Sequence, residues 1–342
     1  MLYRDLILKL LLLLPPETAQ NLAETALRYK APWVLLGKYN NMDTPELNTK
    51  ICEISLSSPI GLAAGFDKDF RMLDSLSELD FGYITAGTVI LNPQQGHPKP
   101  RLIRDVTRNS LLNSMGFPSK GLEFAIESIK SMSSSRLSPI FGSISGTDIN
   151  SIQISCAGLS PFISGIEINI SSPNTSGLKT FHDPVKLSEM IKTIRDTTDK
   201  PLIIKLPPHS NETNEIDVAL KLADSCISSG ADGITVSNSR PVKDSRLAVG
   251  EGGLSGALLI QSTLRMVSSF RSYFGSGIII NACGGIFTGD DVFNALLAGA
   301  NTAQLYTALV YRGPFAIRHI KKELLTRMRI EGIKKISEIK FN

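Results

Sequence analysis

The chain has 342 residues, 42% of them hydrophobic and 20% charged, which is the composition of one large or two ordinary globular domains and not of a disordered chain. Lys and Arg number 36 against 32 Asp and Glu, a net charge of +4, without the basic clusters and interleaved aromatics of a nucleic-acid binder. Cys52, Cys156, Cys226 and Cys283 stand far apart with no CxxC or Cys/His spacing, so no zinc or iron–sulfur site is expected; four could pair in an oxidising compartment, but three sit in apolar or helical patterns and read as reduced core thiols.

The N-terminus departs from the rest. Arg4, Asp5 and Lys9 fall on one side of a helical projection, and Leu10 to Leu14 leave a broad apolar face before Pro15-Pro16 ends the helix. The run is too short to span a bilayer. A second helix is predicted over about 17–30, where Ala19, Leu22, Ala23, Ala26 and Leu27 recur at helical spacing. Two short helices with excess apolar surface read as an interfacial module dipping into one leaflet. A signal peptide is the first alternative, weakened by the lack of a small-x-small site after the leucines. A helix pair buried against the main domain is the second. Residues 31–50 read as a linker, and the extension is placed at 1–45 with a catalytic domain over 46–342.

From residue 51 onward short apolar runs alternate with helical patterns. The runs are Ile60–Ala64, Tyr83–Val89, Ile140–Ile144, Ile166–Ile170, Leu202–Leu206, Gly233–Ser237, Gly277–Ala282 and Thr302–Tyr306, with helices expected over Pro184–Thr197, Ile216–Ser229 and Asp290–Ala298 among others. Strands apolar throughout, alternating with helices, imply an α/β fold with a helix-covered parallel sheet. Eight such units predict a (β/α)8 TIM barrel. A doubly wound sheet is disfavoured because no GxGxxG follows any run; Gly250 to Gly256 fails that template.

A barrel of this kind places its chemistry just after the strand ends. There stand Ala63-Ala64-Gly65-Phe66-Asp67-Lys68, Gly87-Thr88, Asn169 to Thr175, Lys205, Ser237-Asn238-Ser239, Cys283-Gly284-Gly285 and Tyr306-Thr307. Gly284-Gly285 with Thr307 could hold a phosphate, or form only a tight turn. Lys205 lies in an apolar run and demands a negative partner: the anionic edge of a reduced flavin, or a local carboxylate. Asn113, Asn169, Asn174 and Asn238 match the donor–acceptor edges of a pyrimidine ring, although one such asparagine alone reads as a turn residue. None of His97, His182, His209 and His319 has a triad context for Ser172. A serine can still accept a proton from a C–H acidified by a carbonyl.

Taken in order, Gly61-Leu-Ala-Ala-Gly-Phe-Asp-Lys68, Gly87-Thr88 through Pro100-Arg101-Leu-Ile-Arg104, Asn113-Ser-Met-Gly-Phe117, Asn169-Ile-Ser-Ser-Pro-Asn-Thr175, Gly252-Gly-Leu-Ser-Gly256 and Gln304-Leu-Tyr-Thr307 resemble the dihydroorotate dehydrogenases, flavoproteins of pyrimidine biosynthesis. The resemblance implies FMN held by Ala64, Gly65, Thr88, Asn169, Lys205, Ser237, Gly256, Gly285, Tyr306 and Thr307. It implies dihydroorotate or orotate bound by Lys68, Asn113, Met115, Gly116, Phe117, Asn169, Asn174, Asn238 and Ser239, with Ser172 removing the C5 proton while hydride leaves C6. Serine at 172 and the N-terminal helix pair resemble the quinone-dependent class 2 branch, in which the helices frame an apolar tunnel; Gln20, Arg104 and Tyr306 match its inner end. Three departures stand out: Ile144 where class 2 offers the flavin an asparagine, with Ser143 or Ser145 as substitutes; Gln20 where class 2 has a histidine; and a loop after the third strand that is shorter than class 2 usually has.

The function this implies is oxidation of dihydroorotate with electrons passed to a membrane quinone. Alternatives are a class 1-like enzyme using fumarate or another soluble acceptor, and a catalytically impaired flavin-binding homologue. No metal is expected. A monomer bound peripherally to the bacterial cytoplasmic membrane is expected, or to the mitochondrial inner membrane in a eukaryote.

Overall fold

A computed structural model describes residues 3–132, 138–171, 177–208 and 213–341. The eight apolar runs form eight strands: β1 (Ile60–Leu62), β2 (Tyr83–Val89), β3 (Ile140–Ile144), β4 (Gly165–Asn169), β5 (Leu202–Lys205), β6 (Gly233–Val236), β7 (Ile279–Cys283) and β8 (Thr302–Leu305). They close into a parallel barrel in chain order, β8 pairing with β1. Several runs end one or two residues later in sequence than the strands do, because the last residues already bend into the mouth. The expected helices appear as Pro184–Arg195, Thr213–Ser228 and Gly289–Leu297. Their starts are set by caps: the Asp183 carboxylate accepts the Val185 and Lys186 N–H groups, and Thr288 and Asp291 form a reciprocal capping box.

The barrel core is apolar outside and polar inside. Outward residues such as Ile84, Ile166, Ile204 and Ile280 are fully buried beneath the helices. Inward residues form a hydrogen-bonded chain: the Tyr83 hydroxyl meets Thr302 Oγ1 at 2.7 Å, Thr302 donates to Asn281 Oδ1, Asn281 Nδ2 donates to Thr235 Oγ1, and Thr235 donates to Glu167 Oε2 at 2.8 Å. Such a chain keeps buried polar groups satisfied. Below it, a hairpin of Thr49–Ile51 and Ile54–Leu56 closes the barrel floor, with Ile51 and Leu56 packed on Tyr83, Phe141 and Ile203.

Two features differ from the sequence reading. The stretch 31–50 is not simply a linker. Helices α1 (Leu8–Leu13) and α2 (Pro16–Leu27) are followed by α3 (Lys30–Asn40). Pro32 falls in the first turn of α3, where a missing N–H costs nothing. Second, Leu102–Asp105, Ser110–Asn113, Glu251–Gly256 and Arg240–Lys243 form an antiparallel four-stranded sheet. The Gly250–Gly256 stretch is therefore largely strand.

The N-terminal helices are tied to the barrel at several points. The Arg104 guanidinium donates to the Leu11 carbonyl at 2.8 Å and to the Leu14 carbonyl, satisfying the C-terminal end of α1. Glu17 accepts from the Arg101 backbone at 3.0 Å and pairs with its guanidinium at 3.1 Å. Tyr3 donates to the Val310 carbonyl, and Asn40 to that of Pro314. Leu8 is buried and Leu12 packs on the core, while Leu10, Leu13, Leu22 and Leu35 stay exposed, Leu13 at 81%. No helix among the described residues is long and apolar enough to cross a membrane.

Candidate active site

At the C-terminal end of the barrel lies a cavity of about 200 Å³. Lys68, Asn113, Met115, Gly116, Phe117, Asn169, Asn238 and Ser239 line it, as do Ala64, Gly65, Thr88, Lys205, Gly256, Gly285, Tyr306 and Thr307. These sequence-predicted residues come from loops far apart in the chain, and the strand register brings them together: Asn169 pairs with Lys205 across β4 and β5. Ser237 is not among the lining residues; its hydroxyl turns to the Asn238 carbonyl at 3.1 Å. Ser172 and Asn174 lie outside the described residues.

A hydrogen-bonded rail orients the asparagines. Asn238 Nδ2 donates to Ser171 Oγ, Ser171 Oγ donates to Asn169 Oδ1, and Asn169 Nδ2 donates to Thr88 Oγ1 at 3.1 Å. Thr88 in turn meets Ser143 Oγ at 3.0 Å, and Ser145 donates to the Asn169 carbonyl at 2.8 Å. Ser143 and Ser145 therefore orient the cavity wall without lining it. Ile144, between them on the strand, faces the outer core and is fully buried. The role of Ser171 leaves no signal in the sequence, because a small hydroxyl residue at a strand end carries no motif, whereas the alternation of inward serines around Ile144 points to Ser143 and Ser145. Asn113, in the four-stranded sheet, donates to the Gly253 carbonyl at 3.3 Å.

Lys205 is 4% exposed, and its Nζ lies 3.8 Å from Cys283 Sγ. Burial alone would lower its pKa, but Cys283 and Glu167 overcome this and the net shift is upward. Burial also raises the Cys283 pKa, although Lys205 opposes it. The buried ammonium thus touches Cys283 Sγ, and both Cys283 and Glu167 favour its charged form. Burial pushes the Lys68 pKa down, against the pull of Glu24, Asp69 and Asp67.

The residues fit a flavin nucleotide. Gly65 has φ +97°, and a Cβ there would meet only a Tyr306 ring carbon at 3.7 Å, projecting into otherwise open space. Gly285 has φ +79°, and a Cβ there would come within 2.2 Å of the Ile260 backbone nitrogen. The turn after β7 thus requires glycine and presents bare backbone to the cavity, opposite Thr307. Lys205 offers a buried cation to an anionic ring edge. Among the described residues no cluster could hold a metal ion.

A second cavity, about 350 Å³, opens between α1, α2 and the barrel. Its walls are mostly apolar, including Leu8, Leu11, Ala23, Trp33, Phe66 and Val310, with Arg104 near its end. It meets the first cavity at Gln20, Leu102, Leu111 and Tyr306, which line both.

With this geometry in place the comparisons become specific. The sequence profile of the family described as Dihydroorotate dehydrogenase matches residues 46–328. The chain belongs to the dihydroorotate dehydrogenase family, a family of oxidoreductases. A protein of Rhodococcus erythropolis named Dihydroorotate dehydrogenase (quinone) is 31% identical, with 98% of this chain and 97% of that protein covered. A Bordetella avium protein of the same name is 33% identical, with 80% and 83% covered. The crystal structure of DHODH from Eimeria tenella in complex with ferulenol superposes with a TM-score of 0.81 at 27% identity, covering 93% of this chain and 94% of that one.

Proposed function

We propose that the chain oxidises dihydroorotate to orotate with FMN and passes the electrons to a membrane quinone. The observation that carries this reading is the junction of the two cavities: a polar cavity of oriented amides meets an apolar passage at Gln20 and Tyr306. A water-soluble heterocycle suits the first and an isoprenoid quinone the second. The names of the curated relatives point the same way.

In this reading Gly65, Gly256, Gly285, Lys205 and Thr307 hold FMN, which supplies hydride acceptance when bound. Lys68, Asn113, Asn169 and Asn238 hold the pyrimidine amide edges and carboxylate. Their amides cannot swing freely, because the rail through Ser171 and Thr88 fixes Asn169 and Asn238. Positioning of this sort lowers the barrier by removing orientational freedom before reaction. Ser172 accepts the C5 proton, and Asn174 completes the substrate contacts.

The exposed leucines of α1 to α3 support peripheral attachment to a membrane, because apolar side chains left in water on the helices that frame an apolar passage suit a lipid surface. Anaerobic spectroscopy tests the whole reading. Dihydroorotate should bleach the flavin, and a short-chain ubiquinone should restore its colour. Reduction without reoxidation by quinone, but with reoxidation by fumarate, would move the chain to a soluble acceptor.

A further inference from the structure

Quinone reduction consumes a proton that an apolar passage is poorly placed to provide. On the function proposed above, the hydride taken from dihydroorotate brings two electrons and one hydrogen to the quinone by way of the cofactor. The second quinol hydrogen must arrive as a proton. Among the described residues lining the passage, Glu24 is the only carboxyl.

Glu24 faces two ways. It lines the apolar passage, and it also lines a separate polar cavity of about 620 Å³ between α2 and the loops after β1 and β2. Charged residues such as Glu17, Asp69, Arg71 and Lys120 line that cavity, so it is polar and roomy enough for ordered water. Gln20 stands one helical turn before Glu24 and lines all three spaces: the deep cavity, the passage and the polar cavity. Its Nε2 donates to Glu24 Oε1 at 2.8 Å. One hydrogen-bonded pair on α2 thus connects water on one side with the quinone's path on the other.

We propose that Glu24 relays the proton that completes quinone reduction, with Gln20 as the positioning residue that aims it. The Glu24 O–H bond breaks as a quinone oxygen gains its hydrogen. The two electrons come from the dihydroorotate hydride. The carboxylate left behind regains a proton from water in the polar cavity. The groups facing Glu24 are suited to such a relay. Arg28, the C-cap of α2, forms an ion pair with it at 3.7 Å and so stabilises the carboxylate left after the proton is given up. From the loop after β1, Lys68 opposes Asp67, and from the end of β8 Tyr306 is neutral; all three feel the Glu24 charge. The side chain keeps a quarter of its surface exposed, so it can exchange protons with solvent.

The test separates the two half-reactions of the holoenzyme by rapid mixing. In Glu24→Gln, reoxidation by a short-chain ubiquinone should slow about 10²-fold, the low end for losing a proton donor. Glu24→Asp, which keeps the carboxyl on a shorter side chain, should restore a partial rate. Trp33, the single tryptophan of the chain, lines the passage, so quenching of its fluorescence by the same quinone reports binding directly, and the dissociation constant should stay within about threefold. Wild-type rates in Glu24→Gln would overturn the relay, as would a slowdown accounted for by weaker quinone binding. If the wild type is reduced by dihydroorotate but never reoxidised by quinone, the proposed acceptor itself is wrong.

Discussion

Lys205 Nζ stands 3.8 Å from Cys283 Sγ, across β6, at the floor of the polar cavity. Burial pushes the Cys283 thiol up while Lys205 pulls it down, and Cys283 and Glu167 together favour the charged lysine. The arrangement leaves the ammonium free to face a second anion. Lys205→Met should therefore drop the flavin content of the purified protein by tenfold or more, read as the ratio of flavin to protein absorbance. It should also lower the melting temperature, because the buried Glu167 loses a positive charge that faces it through the barrel. Adding Glu167→Gln should recover most of the melting temperature without recovering the flavin. Recovery of both would mean that Lys205 serves the fold alone.

Ser172 is proposed as the proton acceptor on sequence grounds. Ser172→Ala should retain FMN and slow flavin reduction by dihydroorotate by ~10²–10⁴, the range for losing a general base. Stopped-flow reduction at the wild-type rate would remove this serine from the chemistry.

Arg104 holds the end of α1 through the Leu11 and Leu14 carbonyls. Arg104→Ala should loosen α1 and lower quinone turnover several-fold while leaving reduction by dihydroorotate intact. Deleting about the first 30 residues should abolish quinone turnover and vesicle binding, with reduction again spared. Vesicle flotation and the separated half-reactions check both, and a truncated chain that still turns over quinone would disprove the passage.

Asp67 carries a pH signature. Burial raises its pKa to about 6, although the Met72 and Arg71 backbone N–H groups pull it down. The folded state therefore binds a proton more tightly than the unfolded state, whose carboxyl is ordinary. Folding benefits below the ordinary carboxylate range, and the benefit disappears as pH rises through about 6. The melting-temperature difference, wild type minus Asp67→Asn, should fall between pH 4 and 7. A difference independent of pH would show that Asp67 does not titrate in this window.

Gly285→Ala should fail locally. At φ +79° an alanine is strained, and its Cβ would press on the Ile260 backbone rather than on a movable side chain. Stability should drop by about 1–3 kcal/mol, and flavin content should fall with it. An alanine variant with full flavin occupancy would mean that the turn after β7 is not part of the cofactor cradle.

The sequence by itself determined the barrel and most of the cavity wall. A strand buried on both faces needs an unbroken apolar run, and eight such runs alternating with helices admit few topologies. The chemistry then had to follow the strand ends, where Lys68, Asn169, Lys205 and Asn238 line the cavity; Asn113 reaches it from the four-stranded sheet. The four-stranded sheet was not legible, since Arg240–Lys243 is largely exposed and Glu251–Gly256 is glycine-rich, so neither shows a strand's alternation. Helix α3 was hidden by Pro32, which marks a break everywhere except in a first turn. Only the tertiary structure decided that Ser171 and Ser143 fix the amides, and that Gln20 and Glu24 look into separate cavities. Those relationships depend on side chains from distant segments meeting in space, and a hydrogen bond across 67 or 81 positions of chain leaves no periodic trace along it.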